Sequence, residues 1–368
     1  MNIETVDGAA IPGVSAPSRI LWMDLARGLA VAGMIVVHLV PTDGLTSRYG
    51  PAAKAITIGL EGTSAALFFI LIGIAWSIQA DRARSNRHLI WYTARRSLAL
   101  LVIGVVMHRL VWSTEVLSPF AVMMAPSLVI RRLGRRAMIV TVVMLLAAAP
   151  IFASIFGSVF ENDWLENGSH LADTTIGWVT LRYLLFDGNY PVIPWLVFPI
   201  LGIILMENGR LSARRMRLWF VSSIAVGIAT WMLTVWTESS SDRMGEVAKY
   251  LYSTWIPTSV PFMVLHGGLA TSVISGIFLW ESRGGLSGFG SVLACVGRAS
   301  LTHYLAHILL IIVALRTIYP GEDWPLLVGV AGALLYLAAA APVSMLWFRF
   351  HKRGPLEELL ARASGKMS

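Results

Sequence analysis

Ten apolar runs pattern the chain, each closed by a short polar or arginine-rich segment. They fall at roughly 19–41, 56–80, 89–112, 116–130, 137–159, 189–208, 217–237, 256–280, 291–318 and 326–348. A helix needs about 20 residues to cross the hydrocarbon core of a bilayer. The pattern therefore predicts an all-α fold, a polytopic integral membrane helical bundle of about 10 transmembrane helices. The fourth run is short and holds Pro119 and Pro126, so the orientation of everything after it depends on whether it crosses. Residues 1–18 mix Pro, Gly, Ser and polar side chains and lack the basic and apolar regions of a secretory signal. They read as a flexible cytosolic tail, followed by a membrane domain over 19–348 and a cytosolic C-terminal tail over 349–368.

The basic residues orient this array. With the N-terminus inside, Arg19, the arginine clusters at 82–96, 131–136 and 210–217, Arg283, Arg298 and the basic residues of 349–366 all face the cytosol. The outer loops keep only Arg48, Lys54, Arg182, Arg243 and Lys249, and Arg27, Arg109 and Arg316 fall inside the runs. This asymmetry follows the positive-inside rule and places both termini in the cytosol. It also accounts for the net charge of +8 without a nucleic-acid partner. Only 14% of residues are charged and mean hydropathy is +0.69, against roughly 25% charged in a soluble domain. The 14 Trp suit an interfacial belt. A lone cysteine, Cys295, excludes an intrachain disulfide. The longest outer segment, about 160–188, carries Glu161, Asp163, Glu166, Asp173 and Asp187 and is long enough to cap a cavity.

Polar residues inside the runs carry the functional information. A charge at mid-bilayer costs about 2.5–3.5 kcal/mol on insertion scales and therefore pairs and faces the protein interior. In the first run, RILWMDLARGLAVAGMIVVHLVP, Asp24 and Arg27 stand three apart and share a helix face. Ten residues separate Arg27 from His38, and the eleven helical steps between them return to within about 20° after a rise of about 16 Å. Asp24, Arg27 and His38 thus form one polar stripe, with Arg27 toward the cytosol and His38 toward the outer face. Gly28, Ala32 and Gly33 permit close approach of a neighbouring helix.

The segment DLARGLAVAGMIVVH resembles the first-helix signature of the transmembrane acyltransferases related to heparan-α-glucosaminide N-acetyltransferase. The arginine, ten residues, histidine spacing is similar to that of a wider clan of glycan-modifying membrane acyltransferases. EGTSAALFFILIGIAW, GNYPVIPWLVFPILGI, VGRASLTHYLAHILL and RGPLEELLAR resemble further segments of the bacterial members, in the same order, so the likeness extends from residue 19 to residue 362. Many bacterial relatives have His-Gly-Arg where this chain has Glu61-Gly62-Thr63, and an Asp where it has Glu115. These departures bear on the acceptor and on proton transfer.

The resemblance implies a multi-pass protein of the bacterial cytoplasmic membrane. It would move an acetyl or other short acyl group from cytosolic acyl-CoA to an amine or hydroxyl of a sugar or glycan acceptor on the far side. Acetyl-CoA is then the acyl donor, and its phosphates suit a basic cytosolic mouth built from Arg95, Arg96 or Arg298. Its arm would follow Asp24 and Arg27 toward His38, which acts either as general base or as acyl-accepting nucleophile. Glu61 and Glu115 are candidates to orient His38, and His108 lies at a similar depth. Tyr190 and Trp195 are candidates to stack on a sugar ring, and His307 matches the family motif and is expected to meet substrate. His303 and His307 are four apart, a zinc-compatible spacing, but no third ligand accompanies them locally and no metal is expected. His266 is expected to be a hydrogen-bonded packing residue.

The competing class is a transporter or flippase, which would also use buried charge and interrupted helices. Against it, the sequence shows no inverted repeat. The expected partners are acyl-CoA, a sugar-type acceptor and the lipid bilayer; the sequence is compatible with a homo-oligomer. A topology reporter fused to the C-terminus is predicted to read cytosolic, and an extracytoplasmic signal there would refute the map.

Overall fold

The computed structural model describes residues 20–40, 45–111, 114–162, 177–206, 211–240, 251, 253–254, 258–285, 288–320 and 324–365, with the side chains of 45–58, 61, 153, 157–162 and 238 outside that set. Among the described residues the elements are helical. In chain order they are α1 (Leu21–Leu39), α2 (Leu45–Arg82), α3 (Asn86–Leu110), α4 (Leu117–Ile130) and α5 (Arg135–Asn162). Next come α6 (Trp178–Arg182), α7 (Val192–Trp195), α8 (Val197–Leu205), α9 (Ala213–Ser239) and α10 (Val260–Glu281). The series closes with α11 (Phe289–Arg298), α12 (Ser300–His307), α13 (Val313–Ile318), α14 (Leu326–Phe350) and α15 (Pro355–Ser364). Two π-helical turns, Tyr183–Asp187 and Ile308–Ile312, follow α6 and α12.

Nine helical stretches among the described residues are long and apolar enough to cross a membrane, and the 14-residue α4 is a shorter apolar helix. The chain is a polytopic helical membrane protein. Its helices present large apolar side chains outward, among them Val143 and Met144 of α5, Leu218 and Trp231 of α9, and Leu334 and Leu335 of α14. Such continuous exposed apolar faces are stable only against lipid.

Two expected runs are more broken than hydropathy suggests. The run expected at 291–318 is divided at Ala299, between α11 and α12, and again by a π-helical turn. The run expected from 189 begins earlier, at Trp178, and is interrupted at 188–191 before α7. Hydropathy averages over a window and does not register a local change of backbone hydrogen bonding.

The described chain forms two compact units. One comprises Met1–Phe68, Asn208–Ser223 and Ala270–Glu358, and the other comprises Phe69–Glu207, Ile224–Leu269 and Leu359–Ser368. In the first unit α1 packs along α11 through glycine. A Cβ on Gly297 would collide with the Asp24 carbonyl oxygen, and one on Gly28 with the Leu293 carbonyl oxygen. Only hydrogen fits at either place, so the two backbones approach as close as small-residue membrane interfaces allow. Just beyond this contact, the break at Ala299 is stabilised by the C-terminal element. The Glu357 carboxylate accepts hydrogen bonds from the Leu301 N–H at 2.6 Å, the Thr302 N–H at 3.2 Å and the Thr302 hydroxyl at 2.7 Å. It satisfies donors that the interruption leaves at the start of α12. The Thr302 hydroxyl in turn accepts from the Leu356 N–H at 3.1 Å. The expected C-terminal tail thus contains a helix, α15, whose first turn fastens α12.

Gly297→Val is expected to force α1 and α11 apart at a cost of about 1–3 kcal/mol. The measurement is the thermal unfolding midpoint of the detergent-solubilised protein, and an unchanged midpoint would contradict the close approach.

Candidate active site

The first unit gathers the polar stripe of α1. Arg27 Nη1 lies 3.1 Å from Asp24 Oδ1, the pairing its i, i+3 spacing predicts. Asp24 is enclosed, while the Arg27 side chain is 29% exposed. His38 stands at the other end of the helix, about 16 Å along the axis.

His38 meets His307 of α12. Nδ1 of His38 is 3.0 Å from Nε2 of His307. The two rings are 16° from parallel with centroids 5.2 Å apart. With the nitrogens so close and the centroids so distant, the rings meet edge to edge in nearly one plane. An N–H···N hydrogen bond requires this, because the imidazole lone pair lies in the ring plane. His307 is itself 1% exposed, and its Nδ1 lies 3.0 Å from the His303 carbonyl oxygen. His303, one turn earlier, sits 3.1 Å from the Tyr336 hydroxyl through Nδ1 and 2.7 Å from the Ser344 hydroxyl through Nε2. The half-buried Tyr336 and the buried Ser344, both on α14, are polar partners that the sequence reading did not single out. Their signal was no more than two hydroxyls in an otherwise apolar run.

Arg298, at the end of α11, places its guanidinium 3.7 Å from the Phe348 ring centroid and 3.4 Å from the Lys352 carbonyl oxygen. Both contacts attach it to the end of α14. Glu61 has its side chain outside the described residues.

The second unit holds the remaining expected residues. Arg95 and Arg96 lie on α3, with Arg95 exposed and Arg96 Nη1 at 3.5 Å from the Tyr92 hydroxyl. Glu115, in the connection between α3 and α4, accepts from the Leu117 N–H at 2.5 Å and from the Ser118 N–H at 3.0 Å, and so caps the start of α4. Burial pushes its carboxyl above the usual carboxylate range, opposed by those hydrogen bonds and by the neighbouring His108. The His108 ring faces Tyr183 at 6.1 Å. Tyr190 and Trp195 meet edge to face at 4.9 Å, and both pack on Phe69. Trp195 is 0% exposed and donates its indole N–H to Thr258 at 3.1 Å, so its rings serve the core. His266 is also buried, with its ring 4.3 Å from Phe262. Among the described residues there is no cluster of three or more His, Cys, Asp or Glu able to hold a metal.

This unit contains a buried ion pair that α-helical periodicity conceals. Arg182 Nε is 2.7 Å from Asp187 Oδ2, and each side chain is 4% exposed. Residues five apart on an α-helix point about 140° away from each other. Here the wider π-helical turn Tyr183–Asp187 intervenes and brings the two side chains together.

Comparison with protein families yields two matches. The model described as heparan-alpha-glucosaminide N-acetyltransferase, catalytic, matches residues 19–238. A model described as protein of unknown function (DUF418) matches residues 204–365. The His38–His307 contact joins a residue of the first stretch to one of the second. No curated protein and no solved structure matches the chain.

Asp187→Ala removes the carboxylate paired with the buried Arg182 guanidinium and is expected to cost about 3–5 kcal/mol, whereas replacing both residues by Met and Leu should cost less. Unfolding midpoints of the single and double variants test this, and equal midpoints for wild type and Asp187→Ala would contradict it.

Proposed function

Because the chain belongs to the heparan-α-glucosaminide N-acetyltransferase catalytic family, we propose that it transfers an acetyl or other short acyl group from cytosolic acyl-CoA to an amine or hydroxyl of a sugar-type acceptor. The acceptor lies on the extracytoplasmic side, His38 is the acting imidazole, and the protein resides in a bacterial cytoplasmic membrane. The observation that carries the reading is the placement of His38. It occupies the opposite end of a buried helix from an Asp24–Arg27 pair and is held by a second imidazole.

The reaction joins acyl-S-CoA and acceptor X–H to give acyl-X and CoA-SH. The acceptor attacks the thioester carbon, its X–H proton passes to the His38 imidazole, and the C–S bond breaks. The CoA sulfur then takes the proton. Alternatively the His38 nitrogen attacks first and the C–S bond breaks to give an acyl-imidazolium and the CoA thiolate; the acceptor then attacks the acyl carbon, the bond to the His38 nitrogen breaks, and the X–H proton passes to the thiolate. Both routes require a neutral imidazole lone pair, at the acceptor X–H in the first and at the thioester carbon in the second. Acyl-CoA is a substrate that also brings charge to be matched. Its phosphates suit a guanidinium; the exposed Arg95 and the part-exposed Arg27, which is paired with Asp24, are the candidates. Asp24 positions Arg27, Arg96 stands beside Arg95, and Arg298 holds the end of α14 close by α11. His108 and Tyr190 remain candidate acceptor contacts.

The interruption at Ala299 also favours a second reading, a transporter of a polar or glycan-linked substrate, since broken helices line transport sites. Purified full-length protein given labelled acetyl-CoA distinguishes the two. The enzyme reading predicts acetyl-CoA binding with slow hydrolysis or transfer, reduced to background by His38→Ala. No acetyl-CoA binding at all would favour the transporter, and full activity in His38→Ala would remove His38 from the chemistry. Protein acetylated in the absence of acceptor would select the two-step route.

A further inference from the structure

We infer that His307 is a positioning residue that fixes the tautomer of His38 and so selects Nε2 of His38 as the reacting nitrogen. The inference rests on the reading of His38 as the acting imidazole and goes beyond it, since His307 is here removed from substrate contact and given a different task.

The assignment starts at a backbone carbonyl. The His303 carbonyl oxygen is only an acceptor, so the His307 nitrogen 3.0 Å from it, Nδ1, carries hydrogen and donates. A neutral imidazole carries one N–H, so Nε2 of His307 holds a lone pair. The hydrogen in the 3.0 Å contact between the two rings must then sit on Nδ1 of His38. Neutral His38 therefore bears its reactive lone pair on Nε2. Each step follows from the one before, and the near-coplanar rings supply the in-plane alignment that the shared hydrogen needs.

The anchoring carbonyl is held in turn. A carbonyl oxygen has two lone pairs, and the Tyr336 hydroxyl lies 3.3 Å from the same oxygen. Tyr336 also meets His303 Nδ1 at 3.1 Å, and Ser344 meets His303 Nε2 at 2.7 Å, so the His303 side chain and backbone are both tied to α14. Donors and acceptors thus alternate from α14 through α12 to α1. All of these residues belong to one compact unit.

This chain orients; it does not conduct. A proton on His38 has no onward path through His307, because the next acceptor is an amide carbonyl, which receives a hydrogen bond without passing a proton along. The X–H proton taken by Nε2 is therefore not relayed through His307, and the CoA sulfur collects it from the His38 imidazole. While it is there, the imidazolium Nδ1–H points at the His307 lone pair, which stabilises the transient charge. A carboxylate would do the same more strongly and would raise the basicity of His38 further. A neutral imidazole fixes orientation with a milder effect on basicity.

The test uses full-length protein in lipid nanodiscs with acetyl-CoA as probe, following release of the CoA thiol, together with nitrogen-15 NMR of labelled histidine. His307→Ala is expected to lower kcat about 100-fold or more, by loss of tautomer control, while KM for acetyl-CoA stays within about twofold. His307→Gln retains an oxygen acceptor for the His38 Nδ1–H and is expected to recover kcat to within about tenfold of wild type. In the wild-type spectrum His38, identified by its loss in His38→Gln, should show a protonated Nδ1 and a bare Nε2. That signature should persist in His307→Gln and become a mixture in His307→Ala. A wild-type His38 protonated on Nε2 would overturn the inference, as would equal kcat for His307→Ala and wild type. If His38→Ala keeps wild-type thiol release, the acyltransfer role of His38 fails, while the spectrum still decides the tautomer independently.

Discussion

One hydrogen bond, between Nδ1 of His38 and Nε2 of His307, gives the polar interior of this protein its direction. Imidazole can donate or accept through either nitrogen, so an isolated membrane histidine is chemically ambiguous. Placed against an imidazole whose own proton is committed to a carbonyl, it becomes a defined acid on one side and a defined base on the other. Charge in the bilayer is costly. The contact between His38 and His307 pairs two imidazoles, and the ion pair of α1, Asp24 with Arg27, lies at the far end of the helix.

The rest of the first unit keeps that hydrogen bond in register. His307 follows a break at Ala299, and its position depends on where α12 begins. Glu357 sets that start by accepting from two backbone N–H groups and a hydroxyl. Gly354 permits the approach, since a Cβ there would press on Ala299 and on the Glu357 carboxylate itself. On the other side of the break, Gly297 and Gly28 bring α11 against α1, the helix that carries His38. The motif segments VGRASLTHYLAHILL and RGPLEELLAR thus acquire a common explanation. The first breaks and places a histidine, and the second holds the break in place.

The helices were largely legible because a bilayer imposes a length and an apolar composition on anything that crosses it. The Asp24–Arg27 pair was legible because it depends only on local helix geometry. The break at Ala299 and the π-helical turns were not, since they change backbone hydrogen bonding without changing hydropathy. The Arg182–Asp187 pair was hidden for the same reason: its five-residue spacing becomes a contact only across a π-helical turn. His38 and His307 were each singled out, but 269 residues separate them, and no local pattern announces a tertiary hydrogen bond. Trp195 sits beside prolines in the manner of a ring-stacking residue, yet its environment is Tyr190, Phe69, Phe198 and Phe262, an aromatic core. Glu115 looked like an orienting acid, and its observed contacts are with the first amides of α4.

The central claim is that an acyl thioester reaches the imidazole on α1. A structure of the full-length protein with a non-hydrolysable acyl-CoA analogue tests it most directly. The account predicts the carbonyl carbon of the analogue next to Nε2 of His38, with Nδ1 still facing His307. An analogue whose acyl carbon lies away from His38, or a His38 ring turned toward lipid, would contradict it.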